Sequence, residues 1–97
     1  MAATIELCGR IANLSALRVT PAGTAVLKLS VDCGAKAGDL LMPVVMTGET
    51  ARTVAAQLSA GVEVRVHGSL QQVHRQGLAS LGIEVVADEI TLVNARK

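Results

Sequence analysis

The stretch GRIANLSALRVTPAGTAVLKLSVD, residues 9–32, decides the fold class of this 97-residue chain. On both sides of its centre, apolar residues alternate with polar ones, which is the period-two pattern of half-buried strands. The centre contains Pro21, which fixes φ, and Gly23, which permits a positive φ. We therefore expect two antiparallel strands, at residues 4–13 and 24–32, joined by a long loop.

Three more strands and one helix are predicted after this pair. Residues 40–46 are apolar on both faces, as in a strand covered on both sides, and Pro43 indicates an edge or a bulge because it lacks a backbone donor. Alternation predicts two further strands at residues 62–71 and 81–93, with a polar loop at 72–80. Helical spacing predicts one short amphipathic helix that stops at Gly61 and buries Ala51, Val54, Ala55 and Leu58.

The predicted order is three strands, a helix and two strands, in one domain that spans residues 1–97. Edge strands invite aggregation, and closing a few strands into a small barrel removes the edges. We therefore predict an all-β fold: a five-stranded OB-fold barrel with one short helix between the third and fourth strands.

The composition limits the possible functions. The chain is 51% hydrophobic and 18% charged, with a net charge of +1, a pI near 7.8 and no aromatic residue. Any contact with nucleic acid must therefore come from a local basic patch. The N-terminal segment lacks the pattern of a signal peptide, and no apolar run approaches the ~18 residues of a membrane span. We expect a soluble, cytoplasmic protein.

Neither a catalytic nor a metal-binding set of residues is predicted. His67 and His74, on a strand and in the following loop, do not have the close spacing of zinc ligands. Asp88 and Glu89 are adjacent on a strand, so we expect them to point to opposite faces. Cys8 and Cys33 are expected as reduced thiols near opposite ends of the first two strands. We expect no enzyme activity, cofactor or metal.

Basic residues in two loops are candidates for ligand binding. OB barrels commonly bind along one sheet face that is flanked by the loops joining strands 1–2 and 4–5. The first of these loops holds Arg18, and the second holds His74 and Arg75.

Two more basic residues, Arg10 and Lys28, are expected on the outer face of the first two strands. There they would lie directly opposite each other or one diagonal step apart, close enough to repel, which weakly suggests an anion site. Glu6 and Asp32 are expected on the same face, so an ordinary mixed-charge surface is an open alternative.

Several motifs resemble the single-stranded-DNA-binding protein (SSB) superfamily over nearly the whole chain. They are L-C-G-R-I-A-N, L-R-V-T-P-A-G-T-A-V, L-S-V-D, L-M-P-V-V-M-T-G, V-E-V-R-V-H-G-S-L and V-V-A-D-E-I-T-L-V. Within the superfamily, the short length and M-P-V-V-M-T-G are similar to the primosomal replication protein N (PriB) branch.

The resemblance implies an OB-fold homodimer that binds single-stranded DNA and cooperates with the primosomal helicase in replication restart. In that family a basic residue precedes the V-x-P-x-G turn, which corresponds to Arg18. The family's basic loop between the fourth and fifth strands is represented by Arg75, helped by His74. The aromatic side chain on which the family commonly stacks a base is absent, and the loop before residue 40 is short.

Two hypotheses follow from the resemblance and its departures. The chain is either a DNA-binding accessory protein of the restart primosome or a protein-interaction module that docks on the helicase, with vestigial DNA binding. The basic residues favour the first, and the neutral pI and missing aromatic residues favour the second. An SSB without the acidic tail, since the sequence ends at VNARK, is a further alternative.

Overall fold

The elements of the fold are seen in a computed structural model that describes residues 3–34, 41–74 and 81–93, with only the backbone described at 73, 74 and 81. Six strands and one helix lie in this part of the chain. They are β1 (Thr4–Leu14), β2 (Arg18–Val19), β3 (Ala25–Asp32), β4 (Leu41–Thr47), α1 (Glu49–Ala55), β5 (Glu63–His74) and β6 (Leu81–Leu92).

The five long strands close into a barrel. The sheet order is β1-β5-β6-β4-β3-β2, and an additional pairing of β1 with β3 joins the two ends. All neighbours are antiparallel except β4 and β6, which are parallel. The two-residue β2 lies outside this circuit, paired with β3. The predicted five-stranded OB-fold barrel is therefore confirmed, with the helix between the third and fourth long strands.

Strand β1 closes the barrel by pairing with a different neighbour along each half. Residues 4–10 pair with β5, and Arg10 to Leu14 pair with β3, with a register shift between Ile11 and Asn13. Gly9 lies at the changeover, where a Cβ would collide with the backbone carbonyl of Asp32. The absence of a side chain at this position permits the close approach of β1 and β3.

In the part of the chain that the structure describes, the buried side chains of the barrel are all aliphatic. The alternation predicted for β3 is confirmed, because Ala25, Leu27, Leu29 and Val31 are all buried. Helix α1 packs against β3, β4 and β6 and contributes the buried Ala51. The helix is shorter than predicted: it ends at Ala55, and Gly61, with φ of 91°, lies in a later turn. In the described segments no helix has the length and hydropathy that a membrane crossing requires.

Strand β4 differs from the prediction that both of its faces are covered. Val44 and Met46 are buried, but Pro43 is exposed and Leu41 is 51% exposed. Within one chain, the outer face of β4 is therefore open at its first residues. Pro43 pairs with Ser30 in an unbroken register, and the pairing with β6 covers only Val44 and Val45. The missing donor of Pro43 thus lies beyond the β6 pairing, as expected for a proline at an edge.

Candidate nucleic-acid interface

A cleft of about 240 Å³ lies between β2 and the outer face of β3. Arg18 pairs directly with Val26, and Lys28 is two residues further along β3, so the three side chains share one face. Diagonal positions of this kind are about 7–8 Å apart. The cleft is lined by Arg18, Val19, Thr20, Pro21, Val26 and Lys28. Among the described residues, two cations and no carboxylate therefore line it.

Local hydrogen bonds hold the cleft in shape. The Thr20 N–H donates to the Thr24 carbonyl at 2.9 Å, and the Gly23 N–H donates to the Thr20 carbonyl at 2.8 Å. The Thr24 N–H also donates to Thr20 Oγ1 at 3.1 Å. Gly23 has φ of 91°, a conformation that glycine adopts without strain. The long loop of the sequence prediction is therefore largely an ordered hairpin.

Hydrogen bonds to Ser15 hold the backbone of Lys28 in place. The Ser15 N–H donates to the Lys28 carbonyl at 2.9 Å, and the Lys28 N–H donates to Ser15 Oγ at 3.2 Å. The Lys28 side chain is exposed. Its backbone is thus anchored while its ammonium group faces solvent.

The predicted proximity of Arg10 and Lys28 is wrong. Arg10 pairs with Asp32, four residues along β3 from Lys28, which corresponds to about 13 Å at the usual rise of a strand. The reason is that Ala25 and Val26 pair with β2, so β1 meets β3 only from Leu29 onward. The anion-site argument made for Arg10 and Lys28 applies instead to Arg18 and Lys28.

Arg10 lines a second cleft, of about 300 Å³, in a different electrostatic setting. The other lining residues include Asp32 and Glu63. Both are the direct cross-strand partners of Arg10, one on β3 and one on β5. The three side chains together carry a formal charge of −1, so this cleft does not attract anions as the Arg18–Lys28 cleft does.

The second predicted loop begins later than expected. Strand β5 continues to His74, which pairs with Leu81 at the start of β6, so His74 is a strand residue and not a loop residue. Nothing is described of its side chain, and Arg75 lies outside the described residues. Near this end of the hairpin, Ile83 is 54% exposed, and Gln71 Nε2 donates to Glu84 Oε1 at 3.1 Å.

The outer face of β1, β5 and β6 is acidic around His67. His67 Nδ1 lies 2.9 Å from Asp88 Oδ1. Hydrogen bonding to Asp88, followed by the charge of Asp88 and smaller effects of Glu6 and Glu89, raises the pKa of His67 above its ordinary value of 6.5. This face therefore presents three carboxylates near one imidazole.

The prediction that Asp88 and Glu89 point to opposite faces is wrong, because both are exposed. The register changes between His67, which pairs with Glu89, and Gly68, which pairs with Ala87. Asp88 is thus the extra residue of a β-bulge, and a bulge breaks the strict alternation of side chains. The bulge brings both carboxylates toward His67.

The two cysteines also lie differently from the prediction. Because Arg10 pairs with Asp32, Cys8 and Cys33 are near the same end of the β1–β3 pair and not at opposite ends. Both are free thiols. Burial raises the pKa of Cys33, and the charges of Asp32 and Cys8 add to this effect. Within the described residues, no cluster of three or more His, Cys, Asp or Glu side chains could hold a metal ion.

Comparison with known proteins agrees with the barrel fold. The model of the single-strand binding protein family matches residues 2–93, which is nearly the whole chain. No curated protein matches the sequence. The family match supports binding of single-stranded DNA as the general function. On the extent of this match, the chain belongs to the single-strand binding protein family.

Proposed function

We propose that this chain binds single-stranded DNA weakly and without sequence preference, and that it assists the primosomal helicase during replication restart. The observation that carries the DNA-binding part is the Arg18–Lys28 cleft. Two like charges at a diagonal spacing repel each other, and a phosphate between them removes that repulsion. Among the described residues no carboxylate lines the cleft, so none of them competes for this place.

Charge supplies most of the proposed affinity. Base stacking on an aromatic side chain is worth ~1–3 kcal/mol per base, and this chain has no aromatic residue. The net charge of +1 gives no general attraction for a polyanion. Contacts between basic side chains and phosphates carry no sequence information, so the proposed binding does not distinguish sequences.

The five basic candidates do not contribute equally in this proposal. Arg18 and Lys28 form the main contact. Arg10 contributes less, because Asp32 and Glu63 flank it on both neighbouring strands. His74, at the end of β5, and Arg75, outside the described residues, are further candidates from the sequence, in the segment that corresponds to the second binding loop of OB barrels.

The role at the helicase rests on the resemblance of residues 42–48 to the primosomal replication protein N branch. Weak binding through a few phosphate contacts is suited to an accessory protein, because such a protein needs to release the DNA as the helicase advances. We propose that the accessory protein has no catalytic activity of its own and acts in the cytoplasm.

We also propose that the chain acts as a homodimer. The outer face of β4 is uncovered at Leu41 and Pro43, and Leu41 is one of the large apolar residues that one chain leaves exposed. In the described residues, β1 pairs with β3 only from Arg10 onward, so residues 4–9 have a partner strand on one edge. An apolar face beside an open strand edge is suited to a second copy.

An unwinding assay with the primosomal helicase of the same organism tests the helicase part. We expect wild-type protein to increase unwinding of a forked substrate and to be retained by immobilised helicase. Arg18→Ala/Lys28→Ala is expected to stay bound to the helicase while stimulating it less. If the double variant stimulates as well as wild type, the barrel is an interaction module with vestigial DNA binding. If wild-type protein is not retained by the helicase and does not stimulate unwinding, the primosome role is refuted.

A further inference from the structure

Residues 15–17, which join β1 to β2, contain one residue more than the stretch of β3 that they face. Leu14, the last residue of β1, pairs with Leu29 of β3. Arg18, the first residue of β2, pairs with Val26 of β3. Three residues between these two pairs therefore face only two residues of β3. An excess of one residue on one of two paired segments is the pattern of a β-bulge.

This excess residue decides the face on which Arg18 lies. Without it, the register of β1 would continue and place Arg18 opposite Ala25, whose side chain is buried in the barrel. A shift of one residue moves each side chain to the other face of a strand. In the observed register Arg18 shares the outer face of β3 with Lys28, and Leu17 packs against the core. The cleft therefore owes its second cation to this shift.

The hydroxyl of Ser15 completes the hydrogen bonds at the start of the bulge. The Ser15 N–H donates to the Lys28 carbonyl at 2.9 Å, as in a regular antiparallel ladder. The Lys28 N–H donates in return to Ser15 Oγ at 3.2 Å, in place of the Ser15 carbonyl that a regular ladder would use. Ser15 Oγ also donates to the Ala16 carbonyl at 3.3 Å. One hydroxyl thus joins the backbone of Lys28 to the residues that lead to Arg18.

We infer that Ser15 is a positioning residue for DNA binding: its hydroxyl holds the bulge that places Arg18 beside Lys28. This inference rests on the proposed function and adds to it a residue that acts through the two cations. Cations that are held in place before the DNA arrives lose less conformational freedom on binding. Without the hydroxyl, residues 15–17 have one restraint fewer, and binding has to order them.

The test measures affinity for a thymidine oligonucleotide at low salt by fluorescence anisotropy. Ser15→Ala is expected to bind about two- to fivefold more weakly than wild type, because binding then includes the cost of ordering residues 15–17. Ser15 is exposed, so the variant is expected to fold. Ser15→Thr retains the hydroxyl and should bind as wild type does.

Thr53→Val is the matched control. It removes another exposed hydroxyl that bonds to the backbone, since Thr53 Oγ1 donates to the Glu49 carbonyl at 3.1 Å on α1. This hydroxyl has no part in the bulge or the cleft, so the affinity should stay at the wild-type value. An equal loss of affinity in Thr53→Val and Ser15→Ala would overturn the positioning role.

A double-mutant cycle separates positioning from a general loss of stability. If Ser15 acts through Arg18, Ser15→Ala should cost clearly less affinity in an Arg18→Ala background than in wild type. A loss of equal size in both backgrounds overturns the inference, because the two residues would then act independently.

The remaining outcomes separate this inference from the proposed function. Wild-type affinity in Ser15→Ala overturns the positioning role and leaves the phosphate contacts of Arg18 and Lys28 in place. An equal loss in Ser15→Ala and Ser15→Thr also overturns it, because the hydroxyl would then not be the cause. If wild-type protein does not bind the oligonucleotide at low salt, the proposed DNA binding fails and the positioning role fails with it.

Discussion

Arg18 lies directly opposite Val26, and this single pairing places it beside Lys28 on the outer face of β3. Two cations thereby meet in a cleft that is lined by no carboxylate of the described segments, while Arg10 lies between Asp32 and Glu63 elsewhere on the barrel. The fold thus places Arg18 and Lys28 in a cleft that attracts anions. It places Arg10 where two carboxylates compensate its charge.

Replacing either cleft cation is expected to weaken binding to single-stranded DNA. Arg18→Ala and Lys28→Ala should each lower the affinity roughly three- to tenfold at low salt, because each removes one charged contact to phosphate. The loss should be the same for oligonucleotides of different sequence. Anisotropy titrations with homopolymers and a mixed sequence measure both effects.

Arg52→Ala is the matched control for these two variants. It removes the same charge from an exposed position on α1, where Arg52 Nε lies 3.3 Å from Glu49 Oε2. An exposed pair of this kind contributes little to stability, so the control should fold and bind as wild type does. An equal loss of affinity in Arg52→Ala would mean that net charge, and not the cleft, governs binding.

Gly9→Ala is expected to destabilise the barrel by about 1–3 kcal/mol, the usual cost of overpacking. The added Cβ would meet the Asp32 carbonyl and Val31 Cγ1 at the point where β1 crosses to β3. Gly34→Ala is the control, because a Cβ there meets open space and Gly34 does not have a positive φ. Chemical denaturation of both variants measures the difference, and equal stabilities would contradict the close approach of the two strands.

The stability of the fold should depend on pH through His67. Its pKa in the folded state is raised by Asp88, so the imidazolium is favoured by folding. This contribution is fully present below the unfolded pKa of about 6.5 and is lost as the pH rises through the raised folded value. We expect Asp88→Asn to lower the His67 pKa in an NMR titration and to reduce the fall of Tm as the pH rises above about 6.5.

A suitable control for this pH effect is Glu49→Gln, which removes an exposed carboxylate on α1. It should leave the His67 titration where it is in wild type. If His67 titrates at its ordinary pKa in wild-type protein, the 2.9 Å pair with Asp88 does not persist in solution.

Sedimentation is expected to show a homodimer at micromolar concentration, with twice the 10.0 kDa mass of one chain. Leu41→Asp should shift the protein to monomer, because it puts a charge on the uncovered face of β4. Leu92→Asp, at an exposed apolar position on β6, should remain dimeric. A clean monomer of wild-type protein would count against the dimer.

The inner face of the barrel could be predicted from the sequence because burial follows a local period of two. Leu27, Leu29 and Val31 alternate without interruption, and the structure buries all three. The bulge at Asp88 could not be predicted in this way. An inserted residue reverses the face on which every later side chain of the strand lies. The residues around Asp88 carry no sequence signal of this insertion.

The candidate site was predictable in part, for a similar reason. The turn residues identify the loop that holds Arg18, but β2 has only two residues, too few to show a period. Its pairing with β3 decides which cation lies beside Lys28. The near-symmetric V-T-P-A-G-T-A-V segment, with threonines on both sides of Pro21 and Gly23, is the signal of a hairpin that the alternation analysis missed.

The salt dependence of affinity for single-stranded DNA tests the central claim most directly. If the basic residues of the cleft and its surroundings neutralise about three or four phosphates, log K should fall against log salt concentration with a slope of roughly −2 to −3, at ~0.7 per phosphate. Arg18→Ala should make the slope shallower by ~0.7. Tight binding that hardly responds to salt, or a slope that is the same in Arg18→Ala and wild type, would contradict phosphate binding at the Arg18–Lys28 cleft.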